Sequence, residues 1–243
     1  MQRIDDLRRF YECLDRIEKC VGGAPKLSDC NCDGRMGWPQ RGVYFFMEPG
    51  EARSDSGRGC RVVRVGTHAL RQGSKSTLWG RLRQHRGSRT GNGNHRGSIF
   101  RRHVGAALIC RDGIKCCTWG KKPRPPAGSA DRELESDVER RVSRVIGDMP
   151  FLWLSVPDES GPENPRDYIE RNAIALLSNF SREPLLDHRS EQWLGLHCDR
   201  CKVSKSGLWN VDHVDRTHYC PEFLTEMERL AERFATQPQY ARS

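Results

Sequence analysis

Two short β-forming runs decide the fold, GVYFFM at residues 42–47 and RVVRVG at residues 61–66. Both runs are rich in β-branched and aromatic side chains, which favour strands over helices. The first run is followed by EPG at residues 48–50, which is a turn signal. Two strands this close together predict a hairpin, and FLWLSV at residues 151–156 predicts a third, buried strand.

Apolar residues at helical spacing predict the helices around these strands. The pattern covers residues 4–21, 78–85, 99–108, 134–146 and 223–234. A further helix begins after Asn164, an N-cap residue followed by Pro165 at the first helical position, and ends near Leu177. The sequence therefore predicts a mixed α/β (α+β) fold, with a small antiparallel three-stranded sheet flanked by helices and helical N- and C-terminal extensions.

The composition limits the class of protein. The 243 residues suffice for one sizeable domain or two small ones, and no apolar run approaches the ~18 residues of a membrane helix. The charged N-terminus does not resemble a secretory signal. We therefore expect a soluble, intracellular, cytoplasmic protein whose eleven cysteines are reduced thiols.

The positive charge is concentrated in one part of the chain. The net charge is +9, and residues 56–111 contain twelve Arg and one Lys but neither Asp nor Glu. Apolar residues such as Val63, Leu82 and Phe100 interrupt this stretch, so we expect it to fold. A folded patch of positive charge attracts the phosphates of nucleic acids, and a solvated basic face is the alternative interpretation.

Polar residues fall on the apolar faces of two predicted helices. Arg81 and His85 lie beside Leu78 and Leu82 at 100° per residue, and Glu170 lies inside the apolar arc of the later helix. An inward charge is costly unless a counter-charge or a metal meets it. These positions favour a polar site between packed helices, although Glu170 simply pairing with Arg81 is an alternative.

The order of these pieces resembles the GIY-YIG nuclease family. Its first motif, Gly-Ile-Tyr on a strand, is matched by Gly-Val-Tyr at residues 42–44, and its second, Tyr-Ile-Gly, by Arg-Val-Gly at residues 64–66. The resemblance covers about residues 42–180. It departs from the family at Arg64, which replaces the second tyrosine and could take over a phosphate contact but not the role of a phenol.

The resemblance implies roles for particular residues. Glu170 would hold one Mg²⁺ or Mn²⁺ during phosphodiester hydrolysis, and Tyr44 would deprotonate or orient the attacking water. Arg81 would neutralise charge that develops on the phosphoryl oxygens, and His85 would carry a proton or bind phosphate. Asn179 matches the family's downstream Asn, with a role in orienting a ligand or the Glu170 helix, or alternatively in the core or a helix cap.

Nucleic acid, in particular double-stranded DNA, is the expected partner. The loop at residues 86–98 combines Gly, Asn and Ser with basic side chains and contains no apolar residue. The candidate nucleic-acid-binding residues in and near it are Arg86, Arg89, His95, Arg96 and Arg101. A flexible surface loop is the alternative for any one of them.

Three segments follow from this interpretation: an N-terminal helix and linker at 1–41, a GIY-YIG-like catalytic domain at 42–185, and a C-terminal extension at 186–243 packed on the same domain. Two other functions remain open. One is a catalytically degenerate nucleic-acid-binding module, which the missing second tyrosine favours. The other is a zinc-stabilised interaction protein, whose candidate Zn²⁺ ligands are Cys198, Cys201, His218 and Cys220.

Overall fold

A computed structural model describes residues 2–121, 129–158 and 164–236. The strands are β1 (Gly42–Ala52), β2 (Cys60–Gly66) and β3 (Phe151–Ser155). The helices are α1 (Gln2–Val21), α2 (Leu78–Arg86), α3 (Ile99–Asp112), α4 (Ser129–Gly147), α5 (Pro165–Leu177), α6 (Cys201–Ser206) and α7 (Glu222–Ala235). The predicted mixed α/β fold with a small antiparallel sheet is confirmed. No helix within these ranges is long and apolar enough to cross a membrane.

The three strands form one antiparallel sheet in the order β2-β1-β3. Tyr44 lies between Gly66 of β2 and Trp153 of β3. The prediction of a turn at residues 48–50 is wrong, because β1 continues to Ala52, which pairs with Cys60. The register shifts between Phe46 and Met47 and again between Met47 and Ala52, and the second irregularity allows the strand to pass through Pro-Gly where the ladder is interrupted.

The helices lie where the apolar spacing predicts them. The residue before α5 explains why that helix begins at Pro165. Asn164 caps α5, since its Oδ1 accepts a hydrogen bond of 2.9 Å from the backbone N–H of Asp167. Three short elements were not predicted, the 3₁₀ turns at His95–Gly97 and Leu194–His197 and the helix α6. The Pro-rich basic excursion expected at 121–127 lies, beyond Lys121, outside the described residues.

Each face of the sheet packs against different helices. Phe45 points toward α1, where its ring centroid lies 5.6 Å from that of Phe10. Phe46 lies on the opposite face, against His85 of α2 and Phe100 of α3. Because side chains alternate along a strand, Tyr44 shares the face of Phe46. Helix α5 contacts β1 and β2, and it also packs against α1 and α7.

The C-terminal part of the chain pairs with β2 on the side away from β1. The backbone N–H of Trp209 donates to the Val63 carbonyl at 2.7 Å. The Asn210 side-chain amide then exchanges two hydrogen bonds with the backbone of Val65, at 3.1 and 2.9 Å. Trp209 is fully buried, and the hydrophobic core is continuous from α1 to α7.

Candidate active site

Tyr44 and His85 form the centre of the candidate site. The Tyr44 hydroxyl lies 2.8 Å from His85 Nε2, and His85 Nδ1 lies 2.8 Å from Ser98 Oγ. All three residues are buried. Burial, together with the charges of Arg81 and Arg64, holds the pKa of His85 well below its ordinary value. The imidazole is therefore neutral, and it can either accept the phenolic proton or donate to the phenolic oxygen.

Other atoms approach both motif glycines so closely that no side chain fits at either position. The Tyr44 ring lies across Gly66, where an added Cβ would fall 2.2 Å from the hydroxyl oxygen and 2.3 Å from Cζ. At Gly42 an added Cβ would fall 2.5 Å from the carbonyl oxygen of Leu154 on β3. Any side chain at Gly66 would displace the tyrosine, so this glycine fixes the position of the hydroxyl.

Arg64 enters the site from β2. Its Cζ lies 5.8 Å from the centroid of the Phe100 ring, and its Nη1 donates to the Trp209 carbonyl at 3.1 Å. The Nε atom is buried and has no hydrogen-bond partner within the part of the chain that the structure describes. Since arginine stays charged, this guanidinium keeps an unused donor and an uncompensated charge.

Arg81 has a similar environment on α2. Its Nη1 donates to Gln84 Oε1 at 3.0 Å and to the Gly97 carbonyl at 3.3 Å, both of which are neutral groups. Its Nε is buried and finds no partner in residues 2–121, 129–158 or 164–236. The site therefore contains two arginines that offer donors to an anion.

Glu170 of α5 brings a carboxylate to the same place. The residue retains some surface, yet burial is the main cause that raises the pKa of its carboxyl to about 7. Arg64, the Thr67 backbone N–H and Arg81 act in the opposite direction. The ion pair with Arg81 considered above is not formed, because no cationic nitrogen of a described residue lies within 4.0 Å of the carboxylate.

The comparison with protein families decides the classification. The family model described as "GIY-YIG domain" matches residues 1–237. The chain belongs to the GIY-YIG family. No match is found among curated proteins or among solved structures. The family indicates a nuclease that acts on nucleic acid.

His68 is a buried histidine close to the second GIY-YIG motif. It follows Gly66-Thr67, and its Nδ1 donates to the Ser76 carbonyl at 3.1 Å. Burial and then the charge of Arg166 lower the pKa of His68 to about 4. Its Nε2 is buried and has no partner among the described residues. The only signal in the sequence is its position two residues after the second motif glycine.

Asn179 lies in a different network from Tyr44 and His85. Its Oδ1 accepts hydrogen bonds from Arg3 Nη2 and from the Leu186 backbone, each at 3.1 Å, and its Nδ2 donates to the Leu186 carbonyl. The side chain thus joins α1 to the segment after α5. This geometry matches the structural alternative for Asn179 rather than a catalytic role.

Three of the candidate nucleic-acid-binding residues bind carboxylates of α4 instead. His95 and Arg101 are buried, and both contact Glu139, with His95 Nδ1 at 2.9 Å and Arg101 Nη2 at 2.5 Å. Arg96 forms two hydrogen bonds of 2.7 Å with Glu135. His95 and Arg101 therefore use buried donors within the fold, whereas Arg96 is exposed, and nucleic-acid binding by these three residues stays a prediction.

Arg86 and Arg89 are the candidates that keep donors near the surface. Arg86 Nη1 donates to the Cys32 carbonyl at 3.0 Å, and its Nε is buried without a partner among described residues. Arg89 is exposed and donates to the Cys30 carbonyl at 3.3 Å. Neither has a carboxylate partner within 4.0 Å in the described ranges.

The candidate zinc ligands are not brought together. Cys198 is buried with its sulfur 3.7 Å from Asp199 Oδ1, Cys201 is exposed at the start of α6, and the Cys220 sulfur contacts Glu222. Burial raises the pKa of the Cys198 thiol to about 12, whereas a zinc ligand is a thiolate. No group of three or more His, Cys, Asp or Glu residues in the described ranges is placed to hold a metal.

Some residues that organise the GIY-YIG site were missed in the sequence. Ser98 bonds His85 and also caps α3 by accepting from the Arg101 backbone N–H at 3.2 Å. Its position directly before an apolar helical run was a usable signal. Trp209 lies far along the chain from Arg64, so no local pattern could have linked them.

Proposed function

We propose that this protein is a metal-dependent endonuclease that hydrolyses phosphodiester bonds of double-stranded DNA. One observation carries the proposal: Glu170 presents a desolvated carboxylate that pairs with neither Arg64 nor Arg81, although both influence its pKa. A carboxylate kept for stability would be expected to have an ionic partner. A carboxylate kept for a cation is expected to lack one.

The residues fit a hard divalent cation. Mg²⁺ binds carboxylate oxygen, retains several waters and is commonly held in proteins by one or two carboxylates together with substrate phosphates. A single carboxylate on α5 matches this pattern, and burial, which raises the pKa of Glu170 to about 7, is a cost that a bound cation would offset. Bound there, Mg²⁺ or Mn²⁺ would supply charge stabilisation to the phosphate oxygens.

Tyr44 and His85 provide the proton chemistry. The phenolic oxygen is fixed over Gly66, and the neutral imidazole lies within hydrogen-bond distance on one side of it. Tyr44 would orient the attacking water and pass a proton toward His85 Nε2, while Ser98 holds the other ring nitrogen. Because a neutral phenol is a very weak base, it could take a proton from water only as its own proton passes to the adjacent imidazole.

Arg64 and Arg81 stabilise the phosphate. Each has a buried Nε without a partner among the described residues, so a phosphoryl oxygen that reached this atom would satisfy it without breaking an existing hydrogen bond there. Donors already fixed by the fold require little reorganisation when charge develops. Arg64 is held by the Trp209 carbonyl, which places a permanent charge where the family has a second tyrosine.

A catalytically degenerate module is the second candidate, and the replacement of that tyrosine by Arg64 favours it. Phosphate binding alone would use Arg64 and Arg81 but would gain nothing from Glu170. An anionic side chain beside the phosphate weakens binding by repulsion. The desolvated Glu170 carboxylate therefore supports the enzyme over the binding module.

The test removes the charge of Glu170 and keeps its shape. With Mg²⁺, Glu170→Gln should cleave plasmid DNA slower than the wild type by a factor on the order of 10² or more, because charge stabilisation at the phosphate is lost. Glu191→Gln, at an exposed residue outside the site, is the matched control and should cleave normally. EDTA should abolish wild-type cleavage.

Two outcomes would contradict the proposal. Cleavage by Glu170→Gln at the wild-type rate would exclude Glu170 from the reaction. No cleavage of plasmid, single-stranded DNA or RNA by the wild type with either cation would favour the degenerate module. Cleavage of RNA alone would correct the substrate and leave the roles of the residues unchanged.

A further inference from the structure

A second basic region lies next to the candidate active site. A groove of about 400 Å³ is bounded by the loop after α2, by α4 and by residues 27–30. The arginines that line it are Arg86, Arg89, Arg140 and Arg144. Helix α4 contributes two of these arginines, although the sequence assigned it no role.

Arg86, Arg89 and Arg144 have no carboxylate partner within 4.0 Å among the described residues, whereas Arg140 pairs with Asp137 at 2.9 Å. Asp29 is the only acid among its lining residues, and its Oδ2 already accepts from the Lys26 backbone N–H at 2.7 Å. The Arg144 side chain has no hydrogen-bond or ion-pair partner in the described parts of the chain. Arg86 carries the buried Nε described above. Because arginine stays protonated, the charge that lacks an internal carboxylate partner can be compensated by an external anion.

The lining also indicates which part of a nucleic acid would bind. Hydroxyl groups of Ser88 and Thr90 and the backbone of Gly91 stand beside the arginines and suit phosphate oxygens. The residues that line the groove include no aromatic side chain on which an unpaired base could stack. The chemistry therefore matches a sugar–phosphate backbone whose bases remain paired.

Hydrogen bonds connect the groove to the candidate active site. Arg101 Nη1 donates to the His85 carbonyl at 2.8 Å, and its Nη2 donates to Ser143 Oγ at 2.9 Å. Ser143 lines the groove, and Arg86 directly follows His85 in the chain. The same buried guanidinium thus fixes the backbone of the candidate proton carrier and one wall of the groove.

We propose that this groove binds the phosphodiester backbone of duplex DNA beside the cleaved bond, a proposal that rests on the proposed function. Arg89 and Arg144 contact phosphates from the loop and from α4, and Arg86 forms the inner wall. The contacts are independent of sequence, because they reach phosphates and not base edges. Their contribution to affinity falls steeply with salt, since phosphate contacts release counterions.

The experiment measures binding of a fluorescein-labelled duplex DNA by anisotropy over a series of salt concentrations, with EDTA present so that no cleavage occurs. The variant is Arg89→Ala/Arg144→Ala. The matched control is Arg111→Ala/Arg141→Ala, which removes the same charge from exposed residues that pair with Asp112. The groove variant should flatten the slope of log K against log salt by about 2, and the control should leave it unchanged.

The outcomes separate the groove from the enzyme. A flattened slope in the groove variant alone supports the inference, including when the wild type cleaves nothing in Mg²⁺ and the proposed function fails. Equal slopes for the two variants overturn the inference, even when the wild type cleaves normally. Thermal melting of both variants verifies folding, which these exposed side chains should not alter.

Discussion

Glu139 and Glu170 are two desolvated carboxylates in a basic protein, and their surroundings differ in one respect. Glu139 binds Arg101 at 2.5 Å and His95 at 2.9 Å. Glu170 lies near Arg64 and Arg81 but pairs with neither within 4.0 Å. The pKa of Glu139 is lowered, whereas that of Glu170 is raised to about 7.

The difference separates a carboxylate that stabilises the fold from one that is proposed to bind a ligand. Burial raises the pKa of Glu139, but the hydrogen bond from His95 and the charge of Arg101 outweigh it. At Glu170 burial prevails. A desolvated carboxylate that the fold leaves unpaired is a candidate for binding a ligand, which agrees with the role proposed for Glu170.

The largest expected effect on stability is at Glu139. Glu139→Gln leaves the buried Arg101 without its counter-charge and should lower the free energy of unfolding by about 3–5 kcal/mol. Glu170→Gln should leave this free energy unchanged or raise it, because it removes an uncompensated charge. Chemical denaturation of both variants beside the wild type measures the difference. Similar losses in the two would show that Glu170 is also a structural carboxylate.

An intermediate effect is expected from added metal. Mg²⁺ should raise the free energy of unfolding of the wild type by about 2.7 kcal/mol at a hundred times its Kd, because it binds the folded state. Glu170→Gln should lose this response, and Glu139→Gln should keep it despite its lower starting stability. Thermal melts with and without Mg²⁺ measure the shift. A response that survives in Glu170→Gln would place the cation elsewhere.

The smallest effect concerns acid. Since the folded pKa of Glu139 lies below its ordinary value near 4.5, the ionised carboxylate stabilises the protein above that pH. This contribution is lost as pH falls through the folded pKa. The unfolding free energies of the wild type and of Glu139→Gln should therefore converge on acidification. A pH series of denaturation curves tests this, and a constant gap between the two proteins would contradict it.

The fold was largely predictable because its signals are local. Helical spacing located α1, α2, α3 and α5, and the N-cap Asn164 placed the start of α5. The continuation of β1 beyond residue 47 was not predictable, because pairing with β2 overrides the turn preference of Glu-Pro-Gly. The short α6 lacked the length that makes periodicity visible.

The site was predictable only in part, because its residues are identified by their partners. The inward positions of Arg81, His85 and Glu170 followed from helix geometry. The same reasoning could not distinguish Arg101 and His95 from surface residues, since their partner Glu139 lies on a helix that is far away along the chain. Paired and unpaired arginines look alike in a sequence, and tertiary contacts decide which ones remain free for a substrate.

The pairing of Trp209 and Asn210 with β2 has a consequence for solubility. The outermost strand of a sheet exposes backbone amides that can recruit a strand from another molecule and so initiate aggregation. Here the Asn210 side chain forms with the Val65 backbone the two hydrogen bonds that a neighbouring strand would form. The Trp209 backbone N–H forms a third with the Val63 carbonyl. A shortened chain prepared for laboratory work has to retain these two residues, because without them β2 would act as a template for intermolecular sheets.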